Sequence, residues 1–477
     1  MTAVLWLRND LRLNDNPALN HALTHHEKII CLYIHDTSSP YPMGGATRWW
    51  LHHSLSSLKK DIEAKGGHLI LKTGTPESIL EEIIKDHGVT GVYWNRRYEP
   101  LHIQSDTKIK ESLHHRGITV QTFNSHLLFE PWEIKTLQQK PFQVFTPFWK
   151  SCLTSQKSHG IVSIPEKIPS SKIDGVTLES LGLLPQHPDW AEGLRQEWTP
   201  GEDGAQERAQ NFFEHALKNY KDNRNVPGLQ GTSKLSPHLH FGEISPRQLW
   251  HKAHQLLAQD ASLEKGATTF LSELGWREFS HHLLYHFPTI VDEPLRREFT
   301  RFPWESNQDH LHAWQRGLTG YPIVDAAMRE LWQTGWMHNR TRMIAGSFLI
   351  KDLLIHWKEG ADWFWDTLVD ADLANNSASW QWVAGCGADA APYFRIFNPV
   401  LQGQKFDPNG HYVRKFVPEL AQLPNQYIHT PWEAPVHILK QAGVILGQTY
   451  PRPIVDHKHC RDEALKRFKG LKENAGD

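Results

Sequence analysis

Cysteine is scarce in this chain, with four residues among 477 and no CxxC pair. Because Cys31, Cys152, Cys386 and Cys460 stand alone, a zinc ribbon and a disulfide framework are not indicated, and a reducing compartment fits. No run of eighteen apolar residues exists, so no membrane span and no membrane partner are expected. The N-terminus carries Arg8 and lacks an apolar signal region, which predicts a cytoplasmic protein.

An excess of charge of either sign is also missing. The 51 Lys and Arg residues nearly balance the 53 Asp and Glu residues, for a net charge of −2. This balance argues against a protein that coats nucleic acid by bulk charge, but a local basic groove stays possible because the field depends on where charges sit. Tryptophan is the abundant residue type, with 20 copies beside 31 histidines. Tryptophan anchors cores and interfaces, so position must decide between packing and function.

The first 124 residues alternate short apolar segments with amphipathic ones. The predicted strands are Val4–Leu7, Ile29–Ile34, His68–Lys72, Val89–Trp94 and Ile118–Phe123. The predicted helices are Pro17–His26, Ala46–Lys65, Pro76–Asp86 and His102–Arg116. Strict alternation of this kind predicts an α/β domain with a doubly wound parallel sheet. No GxGxxG motif follows the first strand, so the standard dinucleotide fingerprint is absent.

The pattern changes twice along the rest of the chain. Residues 125–200 lack sustained periodicity and predict a long connector with one ordered patch, Phe142–Trp149. From residue 201 the pattern is helical, which predicts an all-α second domain. Its predicted helices are Phe270–Phe287, Pro322–Thr334, Asn339–Trp357 and Ala361–Leu368, with further helix starts at Ser236 and Ser245. The predicted limits are 1–130 for the α/β domain, 131–200 for the connector and 201–470 for the helical domain, with Arg461–Asp477 as a frayed charged tail.

The segment Asp370–Pro399 has the composition of a polar cavity with aromatic walls, suited to a large heteroaromatic cofactor. Asp370 and Asp372 are candidates for metal ligands, an acid–base pair, or acceptors for a sugar or flavin ring. Since no His or Glu stands nearby at a ligand spacing, no metal site is predicted. Asn376 follows Asp372 by four residues and points to the same side. Trp380 and Trp382 are either both core residues, or one of them faces the cavity.

Three other groups of residues could contribute to a site. Gly231–Pro237 places small hydroxyl residues before a helix, which suits a bound anion but also describes an ordinary capped turn. Glu273, Trp276, Arg277 and Ser280 share one helix face, either as part of a site or as a surface ion pair beside a core Trp. Asn339, Arg340, Arg342 and Met343 form a similar cluster. One of its arginines, Arg342, is expected to pair with Asp372, and the other to face a phosphodiester.

Long motifs in the chain resemble the DNA photolyase/cryptochrome family, most closely the class I cyclobutane pyrimidine dimer photolyases of bacteria. The motifs are LWLRNDLRLNDNPAL at 5–19, WNRRYEP at 94–100, TSKLSPHLHFGEISPRQ at 232–248, ELGWREF at 273–279, TGYPIVDAAMREL at 319–331 and GWMHNRTRMI at 335–344. The resemblance covers almost the whole length. It implies an α/β domain that carries an antenna chromophore and a helical domain that holds FAD, active in its reduced form.

The resemblance also implies roles for individual residues. The implied FAD contacts are Tyr220, Thr232, Ser233, Lys234, Leu235, Ser236, Arg277, Asn339, Arg342, Asp370, Ala371, Asp372 and Asn376. The implied contacts to damaged DNA are Glu273, Trp276, Asn339, Arg340, Met343, Trp382 and Gln402. Glu273 and Asn376 are implied to act in the reaction itself. Trp380, Trp357 and Trp304 match the family's tryptophan chain, which passes electrons to photo-oxidised flavin.

The implied reaction is light-driven repair of cyclobutane pyrimidine dimers by a monomer that binds UV-damaged DNA. Two alternatives stay open, a cryptochrome photoreceptor and a photolyase for the (6-4) photoproduct. Asn376 and the Trp380-Gln381-Trp382 order favour dimer repair, and the MHNRTRM run has no His-His pair of the (6-4) type. The expected antenna is 5,10-methenyltetrahydrofolate, with 8-hydroxy-5-deazaflavin as the alternative, because Arg97 replaces the acidic residue of deazaflavin binders.

Overall fold

The computed structural model describes residues 1–155, 160–390 and 392–473. Packing of Cα atoms divides the chain into two compact units. Unit 1 consists of Met1–Lys218 and Ser233–Pro288, and unit 2 of Asn219–Thr232 and Thr289–Asp477. These units are defined by packing alone, and the domain limits at residues 130 and 200 remain predictions from the sequence. Among the described residues, no helix combines the length and the apolar character that crossing a bilayer requires.

Unit 1 contains a five-stranded, fully parallel sheet. Its strands are β1 (Thr2–Leu7), β2 (Lys28–Asp36), β3 (Leu69–Gly74), β4 (Val89–Asn95) and β5 (Thr119–Phe123). The order across the sheet is β3-β2-β1-β4-β5, so the direction of winding reverses between β1 and β4. The strands are continuous apolar runs because helices cover both faces of such a sheet. All five predicted strands and the doubly wound α/β fold class are confirmed.

The remaining elements are almost all helical. The α-helices are α1 (Pro17–His25), α2 (Gly45–Ala64), α3 (Pro76–His87), α4 (Pro100–His115), α5 (Phe145–Thr154), α6 (Glu192–Glu197), α7 (Glu202–Asn211), α8 (Tyr220–Asn223), α9 (Ser236–His240), α10 (Pro246–Gln259), α11 (Glu264–His286), α12 (Gln308–Gln315), α13 (Pro322–Thr334), α14 (Asn339–Ser347), α15 (Trp357–Thr367), α16 (Leu373–Ala384), α17 (Pro399–Phe406), α18 (His411–Phe416), α19 (Val436–Gln441) and α20 (His457–Glu473). Single π-turns cover Phe212–Ala216 and Phe348–Asp352, and the other helical turns are short 3₁₀ segments. The all-α character predicted for the second half is confirmed.

Two helix predictions are wrong. Asn339–Trp357 was expected to form one helix, but α14 ends at Ser347 and α15 begins at Trp357. Leu354 lies between them with a φ of +56°, which interrupts a right-handed helix. A leucine rarely takes this conformation, so the local sequence does not predict it. The predicted frayed tail Arg461–Asp477 is helical in its described part, because α20 runs to Glu473 and buries Ala464 in the core of unit 2; residues 474–477 lie outside the described residues.

Arg12 holds the carboxyl edge of the sheet together from within unit 1. Its buried guanidinium donates to the carbonyl oxygens of Asn14 (2.9 Å), Asp15 (2.6 Å), Ser125 (3.1 Å) and Gly242 (2.9 Å). Burial lowers the pKa of Arg12 to about 10, which still leaves the group charged at neutral pH. A buried cation of this kind is tolerated only because its donors are satisfied. The arrangement therefore fixes three separate segments of unit 1 at one point.

Candidate functional site

An ion pair in unit 2 joins α14 to the segment just before α16. The Arg342 Nη2 donates to Asp370 Oδ2 at 2.7 Å, and its Nε donates to the Met337 carbonyl oxygen at 2.8 Å. The Asp370 side chain is only 4% exposed, so the pair is shielded from water on that side. The sequence prediction that Arg342 pairs with Asp372 is therefore wrong.

Asp372 instead begins α16 as its N-cap. One carboxylate oxygen, Oδ1, accepts from the Asn375 backbone N–H at 2.8 Å and from the Asn375 side-chain Nδ2 at 2.7 Å. The cap holds this carboxylate at the start of α16, while the counterion of Arg342 is Asp370. Ala371 is buried between the two carboxylates.

Asn376 lies in the first turn of α16 with its amide oriented by a neighbouring helix. Its Nδ2 donates to the Ala361 carbonyl oxygen on α15 at 3.0 Å. Because this bond assigns the NH₂ group to α15, the side-chain oxygen is directed to a different donor. Among the described residues no group donates to that oxygen, so it can accept from an N–H of a bound ring. Together with the Arg342–Asp370 pair, this donor set suits a flavin.

Three tryptophans predicted as an electron chain all lie in unit 2. Trp380 on α16 and Trp357 at the start of α15 are buried, and Trp304 is half-buried. The Trp380 ring packs directly on Gly360, where a Cβ atom would lie 2.1 Å from it. Gly360 is one turn beyond Trp357 on α15. Through this contact, Trp380 of α16 packs against the helix that begins at Trp357. Together these three residues, Trp380, Trp357 and Trp304, are called the tryptophan relay.

The two residues that follow Trp380 on α16, Gln381 and Trp382, differ in burial. Trp382 is half-buried against the core of unit 2, so it keeps an exposed part. Gln381 is fully buried, and its side-chain amide donates to the carbonyl oxygens of Ile290 (2.8 Å) and Glu293 (2.7 Å). The sequence analysis did not assign Gln381, although its place between two tryptophans was a signal. Its bonds fix α16 against the segment that follows α11.

Arg340 lies in a basic part of unit 2. Its Nη2 donates to Asn225 Oδ1 at 2.7 Å, and its guanidinium lies over the Phe406 ring at 4.3 Å. Burial lowers the pKa of Arg340, and the nearby positive charge of Arg224 lowers it further. Arg224 in turn lies over the buried Tyr220 ring at 5.8 Å. Two close arginines on aromatic rings favour an anion, and sequence reasoning missed Arg224, Asn225 and Phe406.

The remaining predicted residues of unit 2 are all accessible to some degree. Asn339 is exposed at the first position of α14, and Met343 is half-buried one turn later. Gln402 is half-buried on α17, and Thr232 is half-buried beside Gly231. Since α13 packs against both α14 and α17, these two helices belong to one cluster. Among the described residues no side-chain hydrogen bond engages these four side chains, which leaves them available for a ligand.

In unit 1, Trp276 forms a stacked pair that the sequence did not predict. Its ring lies 3.8 Å from the Phe145 ring, with an angle of 9° between the planes. Phe145 begins α5, inside the ordered patch expected at Phe142–Trp149. One face of the Trp276 ring is therefore covered and the half-buried remainder is left for other contacts. Glu273 is half-buried one turn earlier on α11.

The next two residues of α11 hold the loop that follows β5. The Arg277 Nη1 donates to the His126 carbonyl oxygen at 2.7 Å. The neighbouring carboxylate, Glu278, is buried and accepts from the backbone N–H groups of Leu128 (2.8 Å) and Phe129 (3.0 Å). Burial raises the pKa of Glu278 to about 7, although the charge of Arg277 opposes this. The sequence analysis assigned Arg277 to cofactor binding and overlooked Glu278.

The part of the predicted anion turn that belongs to unit 1, Ser233–Pro237, contains a residue with a positive φ. Lys234 has a φ of +49°, and its ammonium group pairs with Glu197 at 2.6 Å. The Ser233 hydroxyl accepts from the Leu235 N–H at 3.4 Å, and Ser236 begins α9. Because the Lys234 charge is balanced by Glu197, an anion at this turn would be held by hydroxyl and N–H groups.

Charged side chains of unit 1 meet at the carboxyl end of β4. Asp106 pairs with Arg97 at 2.8 Å and with Arg8 at 3.0 Å. The cavity beside them measures about 10 Å³, which is the space of a single water. Parallel sheets bind ligands at the point where the winding reverses, here between β1 and β4. At this reversal, the side chains around Arg97 leave only that small cavity.

The chain matches two family models over parts of its length. It is also similar to several known proteins over nearly its whole length. Residues 3–170 match the DNA photolyase model, and residues 270–470 match the FAD binding domain of DNA photolyase. A relative named deoxyribodipyrimidine photo-lyase from Agrobacterium fabrum is 48% identical over 98% of both chains. Cryptochrome-2 from Arabidopsis thaliana is 40% identical over 98% of this chain and 79% of its own.

A solved structure agrees with these matches. It is described as a bacterial class III photolyase from Agrobacterium tumefaciens, and it has a TM-score of 0.96 at 48% identity over 99% of this chain and 98% of its own. The two-domain architecture and the FAD-binding domain that the sequence predicted are confirmed. The chain belongs to the DNA photolyase/cryptochrome family.

Proposed function

We propose that this protein is a deoxyribodipyrimidine photo-lyase that repairs cyclobutane pyrimidine dimers in UV-damaged DNA with light. The observation that carries the proposal is the 48% identity, over 98% of both chains, to a relative with that name. When bound, reduced FAD supplies the electron that opens the dimer on illumination. The protein's own residues hold the reactants, set their charge and exclude water.

The residues of unit 2 that suit the flavin are Arg342, Asp370 and Asn376. The guanidinium of Arg342 supplies positive charge, which a reduced anionic ring requires, and Asp370 holds it in place at 2.7 Å. The Asn376 oxygen, left as an acceptor by the bond to Ala361, suits an N–H of the ring. In this proposal Asp372 acts through the position of α16, since it caps that helix.

The lesion contacts proposed for unit 1 are Trp276 and Glu273. A dimer inside a duplex must be flipped out, at a cost of a few kcal/mol that damage reduces. The stack on Phe145 holds the Trp276 ring rigidly, so its free side offers a flat apolar wall to the fused pyrimidines. Glu273 can accept from, or share a proton with, the edge of a pyrimidine that carries carbonyl groups. Trp382 in unit 2 is proposed as a second aromatic contact.

Arg340 and its neighbours are proposed to contact the DNA backbone. Arg340 and Arg224 lie close enough for each charge to affect the other, so a phosphate near them would relieve their repulsion. Contacts to phosphate position a protein on DNA and make binding weaken as salt rises. Asn339, Met343 and Gln402, which are accessible in the same unit, are proposed to line the approach.

The protein is proposed to be a class III photolyase, whereas the sequence motifs had suggested class I. The support is the solved class III structure at 48% identity and a TM-score of 0.96. A folate antenna remains the proposal for the second chromophore. An absorption spectrum of the purified protein distinguishes folate from deazaflavin.

The alternative function is a cryptochrome-type photoreceptor, favoured by the 40% identity to Cryptochrome-2. The deciding experiment is repair of an oligonucleotide with one thymine dimer, in blue light and in darkness, after a spectrum has been taken. Repair that requires light supports the photolyase, and a flavin-containing protein that leaves the dimer intact in light supports the photoreceptor. A protein that stays colourless after reconstitution with FAD contradicts both.

A further inference from the structure

The imidazole of His356 lies between two indoles of the tryptophan relay. Its ring centroid is 5.1 Å from that of Trp304, in an edge-to-face arrangement, and 5.3 Å from that of Trp357, at 31°. Within the part of the chain that the structure describes, no ring contact joins Trp304 to Trp357 directly. The aromatic path between these two tryptophans therefore passes through His356.

The local backbone holds this ring in place. His356 follows the left-handed residue Leu354 and is the N-cap of α15, where its Nδ1 accepts from the Lys358 N–H at 3.1 Å. That bond requires the free electron pair on Nδ1, so the proton of the neutral ring is on Nε2. Burial lowers the pKa of His356, and Lys358 lowers it further while Asp362 opposes. The ring is neutral at pH 7.

The charged groups around His356 are paired with one another. Lys358 lies 3.2 Å from Asp292 and 3.2 Å from Asp362. On the other side, Glu305 next to Trp304 pairs with Arg467 of α20 at 2.5 Å. Lys358 and its two aspartates carry one net negative charge, whereas Glu305 and Arg467 cancel, so protonation of His356 would add a positive charge beside the two indoles. A protonated imidazole there would oppose a positive charge on either tryptophan.

We propose that His356 is a positioning residue of the tryptophan relay and that its neutral ring connects Trp304 to Trp357 for electron transfer. The inference rests on the proposed function. Bound oxidised flavin would be the oxidant on illumination: Trp380 would give it one electron and recover one from Trp357, which would be left as a radical cation. One electron then passes from Trp304 to Trp357, which returns Trp357 to a neutral indole and leaves Trp304 as the radical cation. No proton moves, and His356 is neither oxidised nor reduced.

The test is flash photolysis of the purified flavoprotein with two variants of His356. His356→Asn keeps a good helix cap and removes the ring, so the yield of the long-lived Trp304 radical should fall several-fold. His356→Phe keeps a ring without the cap and should retain most of that yield. The matched control is His437→Asn, at an exposed histidine of α19 in the same unit, which should behave as the wild type.

The outcomes separate the inference from the function on which it rests. If His356→Asn gives the wild-type yield while Trp304→Phe abolishes the radical, the inference fails and the relay stands. If Trp304→Phe has no effect, the relay fails and the inference fails with it.

A second readout needs no photochemistry. A protonated imidazole in contact with an indole quenches its fluorescence, so the emission of Trp304 reports the charge on His356. The difference in emission between wild type and Trp304→Phe should titrate with a midpoint below the ordinary histidine value of 6.5. The step should vanish in His356→Asn. A step that persists in that variant, or that is missing from the wild type, overturns the inference.

Discussion

Arg342 and Asp370 form a shielded ion pair at 2.7 Å, with the aspartate side chain only 4% exposed. Replacement of Asp370 by Asn keeps the shape but removes the negative charge, and it leaves Arg342 without its counterion. We expect a loss of about 2 kcal/mol in the free energy of unfolding, the value of a hydrogen bond to a charged group, together with weaker FAD retention. Urea unfolding and the ratio of flavin to protein absorbance measure both. Asp309→Asn, at an exposed position of α12, is the control and should change neither.

Gly360 should not tolerate a methyl group, because a Cβ there lies 2.1 Å from the Trp380 ring. Gly360→Ala is expected to cost roughly 1–3 kcal/mol of stability through overpacking. Gly346 faces the same ring from α14, but its Cβ would lie at 3.5 Å, an ordinary contact distance. Gly346→Ala should therefore be neutral or stabilise by about 0.5–1 kcal/mol, because it removes a helical glycine. Equal effects of the two changes in thermal unfolding contradict the packing described for Trp380.

Glu278 should make stability depend on pH in an unusual direction. Its pKa is raised by burial from 4.5 to about 7, so the folded state holds the proton more tightly than the unfolded state does. The stabilisation is complete below pH 4.5 and is lost as the pH rises through 7. Glu278→Gln cannot titrate, so relative to wild type the variant should gain up to about 3 kcal/mol between about pH 5 and 8. Urea unfolding of both proteins checks this, and a difference that stays constant with pH rules it out.

Trp276 should contribute to recognition of damage and not to general DNA binding. Trp276→Ala is expected to weaken binding of a thymine-dimer oligonucleotide by about 1–3 kcal/mol, the value of stacking one base on an aromatic side chain. Binding of undamaged DNA should be unchanged, since phosphate contacts are kept. Fluorescence anisotropy with both oligonucleotides measures this. Trp190→Ala removes a tryptophan that is 38% exposed in the same unit and serves as the control.

Trp304 should matter for reduction of the flavin and not for repair. Trp304→Phe is expected to slow photoreduction of the oxidised protein, because phenylalanine is much harder to oxidise than indole. Repair by protein reduced beforehand does not use the relay, so it serves as the internal reference. The control Trp432→Phe changes a partly buried tryptophan elsewhere in unit 2. Loss of repair in the pre-reduced Trp304 variant would show that the relay is assigned wrongly.

The sequence predicted the elements well where local pattern decides them. The five strands were recognisable as apolar runs between turns, and a parallel arrangement follows from the helices between them. The N-cap role of Asp372 was not predicted, although an Asp directly before an apolar helix start is a capping signal. The prediction that Asp372 pairs with Arg342 came from their expected proximity. The structure shows that Asp372 caps α16 and that Arg342 pairs with Asp370.

Contacts between distant segments could not be predicted in this way. Nothing near Phe145 indicates that its ring stacks on Trp276, 131 residues later in the chain. The break before α15 depends on Leu354, a residue type that rarely takes a positive φ. The pKa of Glu278 also depends on burial, which a single sequence gives only as a tendency. The partners of the predicted residues therefore could not be derived from the sequence, and the roles of those residues stay predictions.

The bonds of Arg12 set a rule for chimeras with other members of the family. Its guanidinium reaches carbonyl oxygens near residue 14, at Ser125 and at Gly242. A graft of residues 1–130 alone would leave Arg12 facing a carbonyl oxygen of the host protein in place of that of Gly242. The transplantable piece is the whole of unit 1, with Ser233–Pro288 included, although those residues come after a segment of the other unit.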